Sequence, residues 1–217
     1  MSFLFNVTLS QRKGELNHNL IVVKSKGRKL LNTNYVNYSY GALQLLLNSF
    51  LKELALEYTD FKPQKTLVLG LGGGSVFHLL KEHYPETYIT VVEKDIAVIE
   101  LAYSVFNLNK EFDFDLHYGD AYDFVATNSQ KFDLIINDIF VDDTVPETIK
   151  SIEYLENLKK LLAPKGVIAF NKMEKIEDKG QSYEVFKGRF SSVFPESKDF
   201  QKEYYERKSH LLYNRIS

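Results

Sequence analysis

Four stretches of the 217-residue chain combine residue type and spacing in ways that could do chemistry. The first is Gly70-Leu71-Gly72-Gly73-Gly74-Ser75, a GxGxG run behind the apolar stretch Leu67-Val68-Leu69. Glycines let a backbone turn tightly and approach a ligand with no side chain in the way. A helix opening beyond them would offer free N–H groups to an anion. A dinucleotide fingerprint places its last glycine where Ser75 stands, and a P-loop needs a Gly-Lys-Ser/Thr ending that is missing here. The run suits S-adenosylmethionine, whose tail is a compact carboxylate and amine and not a pyrophosphate. A plain tight turn between strand and helix is the bland alternative.

The second stretch ends at Glu93, roughly 20 residues after the loop, where a carboxylate can accept both hydroxyls of a ribose. The third is Gly119-Asp120-Ala121. Asp120 could accept from the exocyclic amine of adenine, or cap the helix that follows, or do both. The fourth, Asn137-Asp138-Ile139-Phe140-Val141-Asp142-Asp143, is where the reaction would occur. Transfer from a sulfonium is an in-line displacement, to which a protein contributes alignment and a base. Asp138 could take a proton from an ammonium or orient a free amine. Asp142 and Asp143 are either substrate contacts or a solvated acidic loop.

These stretches sit at the ends of regularly spaced elements. Lys65–Gly70, Tyr88–Glu93, Asp113–Tyr118, Phe132–Asp138 and Gly166–Phe170 read as strands. Ser75–His83, Asp95–Phe106, Ala121–Ala126 and Glu147–Leu162 read as helices, the last stopped by Pro164 and Gly166. Apolar strands alternating with helices predict a parallel sheet covered on both faces, a doubly wound α/β sandwich whose ligands bind beyond the strand ends. Upstream, Leu43, Leu46, Leu47, Phe50, Leu51, Leu54 and Ala55 recur at helical spacing. Before them, Leu20–Lys24 and Lys29–Leu31 flank Ser25-Lys26-Gly27-Arg28 as a hairpin. Downstream, Tyr183–Phe194 suits a helix, and Asp199–Tyr205 with Ser209–Ile216 suits a closing antiparallel hairpin. Tyr204, Tyr205 and Tyr213 either pack on that hairpin or form a homodimer contact. The expected organisation is a small β-hairpin region over 1–40 and one ligand-binding domain over 41–217.

Composition narrows the choices. Hydrophobic residues at 44% and charged residues at 26% exclude a disordered chain. A formal charge of −2 argues against a nucleic-acid binder, which needs a basic footprint. No apolar run approaches the roughly 20 residues of a membrane span, and no signal peptide is read at Met1–Asn6. The absence of cysteine removes disulfides, thiolate nucleophiles and Cys-ligated zinc, and fits a cytoplasmic setting. His18, His78, His83, His117 and His210 show no metal-ligand spacing, so no metal is expected.

At the four stretches the chain resembles the spermidine synthase family of polyamine aminopropyltransferases, built on the Rossmann-like class I S-adenosylmethionine methyltransferase fold. Leu67 to Gly74 sits where the family has its glycine-rich loop, and Val91-Val92-Glu93-Lys94-Asp95 looks like its ribose-binding segment. Gly119-Asp120-Ala121 looks like its adenine-side Gly-Asp, and Phe132 to Asp138 like the strand leading to its catalytic aspartate. Asp142 to Pro146 follows like its gatekeeping loop, Val193-Phe194-Pro195 resembles a late motif, and Tyr38-Ser39-Tyr40 lies at its tyrosine segment. The resemblance implies that Gly70, Gly72, Gly73, Gly74, Glu93, Asp120, Ala121 and Asp138 hold the nucleoside. It makes Asp138 the catalytic residue and Tyr40, Asp142 and Asp143 substrate contacts. Two positions depart from the family. Gly73 stands where the family loop carries an aspartate for the aminopropyl end of decarboxylated S-adenosylmethionine. Gly41-Ala42 follows Tyr40 where the family has polar and acidic residues.

The expected function is therefore an S-adenosylmethionine-dependent transferase acting on a small-molecule acceptor, with an amine as the candidate. Aminopropyl transfer from decarboxylated S-adenosylmethionine and a non-catalytic nucleoside-binding protein are the alternatives.

Overall fold

In the computed structural model, which describes residues 7–16, 19–25, 27–33, 42–141, 144–175, 181–204 and 207–216, the chain opens with three antiparallel strands. They are β1 (Val7–Arg12), β2 (Leu20–Ser25) and β3 (Arg28–Asn32), paired in the order β1-β2-β3. The expected hairpin is β2–β3, closed by a two-residue turn in which Gly27 has φ +82°. That left-handed backbone is what a tight hairpin turn asks of a glycine. Leu20 and Val22 alternate inward on β2 and join Leu31 in one core with α1 (Ala42–Glu57). Leu46, Leu47, Phe50, Leu51 and Leu54 form the buried stripe of that helix, at the predicted spacing.

The rest of the chain alternates as expected. In order come β4 (Lys65–Leu69), α2 (Ser75–His83), β5 (Tyr88–Glu93), α3 (Ile96–Ser104), the short α4 (Leu108–Glu111), β6 (Phe114–Tyr118), α5 (Ala121–Thr127) and β7 (Phe132–Asn137). A single 3-10 turn (Thr148–Lys150), α6 (Ile152–Leu161), β8 (Leu162–Lys175), α7 (Gln181–Val193), β9 (Lys198–Tyr204) and β10 (Arg207–Arg215) complete it. The seven-stranded sheet has the order β6-β5-β4-β7-β8-β10-β9. Its first five strands pair in parallel, and β10 pairs antiparallel to both β8 and β9. The chain runs outward from β4 to β6, then returns to the other side of β4, so strand order reverses between β4 and β7.

Two apolar cores lie on the two faces of this sheet. On one face Val68, Ile89, Val91, Leu134, Ile136, Val167 and Leu211 pack against α1, α2 and α3 and against the three-stranded sheet. On the other, Leu67, Leu69, Val92, Ile135, Ile168 and Phe170 pack against α5, α6 and α7. Arg12 pairs with Glu100, and Lys29 Nζ donates to the carbonyl of Val105 at 2.6 Å, so the small sheet is also pinned to α3.

Four features differ from the sequence reading. The expected helix over 147–162 is interrupted at Ser151, whose hydroxyl accepts from Tyr154 N at 3.2 Å and caps α6. β8 is far longer than Gly166–Phe170, because β10 pairs with it as far as Lys175. α4 was not foreseen, and β1 joins the hairpin as a third strand.

Phe190 on α7 is fully buried against Phe170, Phe186 and Phe194. Replacing it by alanine should destabilise the fold by about 3–5 kcal/mol, read as a lower urea midpoint in chemical denaturation.

Candidate functional site

The site is built on one rung of the sheet. Leu69 faces Val92 on one side and Asn137 on the other, and Asn137 faces Phe170. One residue further along these four strands stand Gly70, Glu93, Asp138 and Asn171. Strand alternation turns this rung away from the α5–α7 face and toward the α1 face, where Asn171 lies opposite Leu211. Four neighbouring strands thus deliver the glycine loop, an acid, a second acid and an amide to one level beyond the switch point.

The backbone makes this possible at Gly70. Its N–H donates to Val92 O at 2.9 Å, while Asp138 N–H donates to Leu69 O at 2.8 Å. A Cβ on Gly70 would stand 2.5 Å from the carbonyl oxygen of Asp138, and φ is +97°. Gly74, at φ +77°, forms the N-cap of α2 and would drive a Cβ into the side chain of Leu108 at 2.4 Å. Gly72 is left-handed too, but Gly73 is not, so its backbone does not demand glycine. No side chain caps α2, which leaves the helix N-terminus facing the loop with uncapped N–H groups.

Glu93 is fastened to the loop it serves. Its Oε2 accepts from Leu71 N at 3.0 Å, and its Oε1 accepts from the N–H groups of Lys94 and Asp95, both at 2.8 Å. Burial pushes its pKa up, with the Asp95 carboxylate adding to this and the three N–H donors opposing it. A carboxylate has about four acceptor sites, so one remains for a ligand hydroxyl. Asp95 is wholly buried, caps α3 through Ala97 N at 3.0 Å, and accepts from Leu16 N at 3.3 Å on the N-terminal side.

Asp120 does cap the following helix: its Oδ1 accepts from Tyr122 N at 2.8 Å. Its other oxygen holds Lys94 Nζ at 2.7 Å, a partner not seen in the sequence. Burial works to raise the Asp120 pKa, but the Lys94 ammonium and the Tyr122 N–H outweigh it and the pKa is lowered. Ala121 opens α5 beside it and is buried.

Asp138 accepts from Asn171 Nδ2 at 2.7 Å. Burial pushes its pKa up to about 6, and the Asn171 amide works against that. Asn171 is buried, and its own Oδ1 has no partner among the described residues. Asn137 points to the opposite face, where its Oδ1 accepts from the hydroxyl of fully buried Tyr154 at 2.7 Å. The sequence reading missed Lys94, Asn171 and the Asn137–Tyr154 pair. Only Asn171 had a visible signal, a polar side chain directly after an apolar strand. Tyr40, Asp142 and Asp143, like Tyr38, Ser39, Gly41 and Tyr205, lie outside the described residues. Among the described residues no three His, Asp or Glu side chains gather to hold a metal, and no helix is long and apolar enough to cross a membrane.

Comparison with known proteins gives a consistent result. The family model for the spermine/spermidine synthase domain matches residues 47–206. A polyamine aminopropyltransferase of Vibrio vulnificus (strain CMCP6) is 33% identical over 143 residues, 64% of this chain and 46% of that protein. The eEF1A lysine and N-terminal methyltransferase of Bos taurus is 30% identical over 166 residues, 71% of this chain and 22% of that protein. The chain thus spans less than half the length of either relative. A probable spermidine synthase from Corynebacterium glutamicum ATCC 13032 superposes with a TM-score of 0.78 at 15% identity, covering 97% of this chain and 80% of that one. The α/β architecture is therefore the class I methyltransferase-like fold.

The raised pKa of Asp138 has a thermodynamic consequence. In the folded state this carboxyl binds its proton up to about pH 6, whereas the unfolded chain releases it near 3.8. Its charge therefore weakens the fold above pH 6, and that penalty fades as pH falls toward 4. Asp138→Asn should raise the melting temperature at pH 7.5, and the gain should shrink to nothing near pH 4 in a pH series of thermal melts.

Proposed function

Because the chain belongs to the spermine/spermidine synthase family, we propose that it binds S-adenosylmethionine and transfers the methyl group to an amine nitrogen. The observation that carries this reading is the single rung on which Asp138 stands beside the glycine loop, with no carboxylate between Gly70 and Gly74. The residues present fit such a ligand. Uncapped N–H groups at the start of α2 suit the carboxylate of its methionine tail, and the remaining acceptor site of Glu93 suits a ribose hydroxyl. Asp120 and Ala121 would flank the adenine. Bound there, S-adenosylmethionine would supply an electrophilic methyl carbon on a sulfonium.

The protein's part is alignment and proton handling. Asp138 presents one carboxylate oxygen to the incoming amine while the other is held by Asn171. The ionised carboxylate would attract an ammonium and take from it the proton whose loss frees the nitrogen lone pair, aligned for displacement; the N–C bond would form as the C–S bond breaks, with S-adenosylhomocysteine leaving. The amines named for the eEF1A methyltransferase agree with this choice of acceptor.

A second reading is aminopropyl transfer from decarboxylated S-adenosylmethionine. The aminopropyltransferase relative and the retained Asp138 favour it. It would leave the α2 N-terminus without a carboxylate to bind.

Calorimetry is the direct test. S-adenosylmethionine or S-adenosylhomocysteine should bind, and Glu93→Ala should weaken that binding by about 1–3 kcal/mol; no heat from either ligand rejects the reading. Tighter binding of the decarboxylated form would favour aminopropyl transfer instead. Asp138→Asn should lower kcat by about 10²–10⁴-fold on an amine acceptor. In the wild type, the Asp138 limb of the kcat/KM profile should rise through about pH 6, as the carboxyl ionises.

A further inference from the structure

Asp138 is clamped through its backbone by Leu69 O and by the close passage of Gly70, but a fixed backbone does not fix a carboxyl group. Rotation about its side-chain bonds would exchange the two oxygens and change what the site presents. One side chain removes that freedom. Asn171, on the adjacent strand β8 and on the same rung, donates Nδ2–H to Oδ1 of Asp138 at 2.7 Å. Asn171 itself is only 2% exposed and held in a strand paired on both sides, so the donor has little freedom to swing away.

We propose that Asn171 is a positioning residue for the transfer step: its amide locks Oδ1 of Asp138 toward β8 and leaves Oδ2 as the oxygen that meets the substrate. This assignment rests on the reading of Asp138 as the group that receives the acceptor. An amide donor also cannot be deprotonated, so its effect has one sign at every working pH: it favours the ionised carboxylate. Around Asp138, the glycine loop contributes Gly70 and Leu71, and its own strand continues into Ile139, none of them charged. Lys172 and His210 lie on the opposite face of the sheet from Asn171, as strand alternation requires. Glu93 is two strands away and engaged by three backbone N–H groups. Among the described residues, burial and the Asn171 amide are the influences that act on the Asp138 proton. Among the described residues Asn171 is thus the one group that favours the ionised form of this half-buried acid.

The test is the titration of Asp138 in the ligand-free protein, followed by carbon-13 NMR of aspartate-labelled chain and assigned by the resonance missing in Asp138→Asn. Asn171→Leu keeps the volume and removes the donor. It should move the Asp138 midpoint alkaline by about 0.5–1 pH unit, and the acidic limb of kcat/KM should move with it. Asn171→Val removes the donor with a smaller apolar side chain, so its midpoint should move in the same direction. It also serves if the leucine variant does not fold. An Asp138 midpoint unchanged in the variants that fold would overturn the proposal, even if their melting temperatures fall. The ligand calorimetry on the wild type fails or succeeds independently of this titration. A protein that binds no nucleoside while Asp138 still shifts in Asn171→Leu would reject the functional reading and retain the contact.

Discussion

Everything at the site depends on how closely β4 and β7 approach where strand order reverses. Asp138 N–H bonds to Leu69 O across that seam, and the next residue of β4 must pass the Asp138 carbonyl at a distance no side chain permits. The glycine at position 70 is therefore required by the protein's own backbone before any ligand is considered. That closeness also puts the glycine loop and the Asp138 carboxylate on one rung.

The acids of the site are held by the protein itself. Glu93 spends three acceptor positions on backbone N–H groups, one of them in the glycine loop. Asp120 divides its oxygens between a helix cap and Lys94. Such carboxylates are preorganised: a ligand meets oxygens already fixed and need not order them. Asp138 is the exception in electrostatic terms: among the described residues a single neutral amide supports its charge against burial, where Glu93 has three N–H donors and Asp120 an ammonium and an N–H.

The periodic parts of this architecture were legible in the sequence, and the contingent parts were not. β4, β5 and β7 announced themselves as largely apolar runs, and α2 was bounded correctly by its glycine start and polar end. Glu93, Asp120 and Asp138 could be nominated because the ends of parallel strands face one crevice. Asn171 carried only the faint signal of a polar residue directly after an apolar strand, and with its partner 33 residues away nothing local tied it to Asp138. The true length of β8 was hidden for the same reason: its upper half is stabilised by β10, a partner that local propensity does not encode. Four-residue α4 is too short for any period to show. At Ser151 a capping hydroxyl outweighed the helical pattern on either side of it.

The strand order at the sheet's far end carries a consequence for synthesis. β10 follows β9 in the chain yet lies inside it, between β9 and β8. As the chain emerges from the ribosome, β9 appears first with no neighbour to pair with, and the flank of β8 stays bare until β10 arrives. Neither of the two outermost strands can take its place in the sheet until β10 has been made. Vectorial folding must therefore pause one strand short, with an apolar edge exposed at the stage when a nascent chain is most open to mispairing.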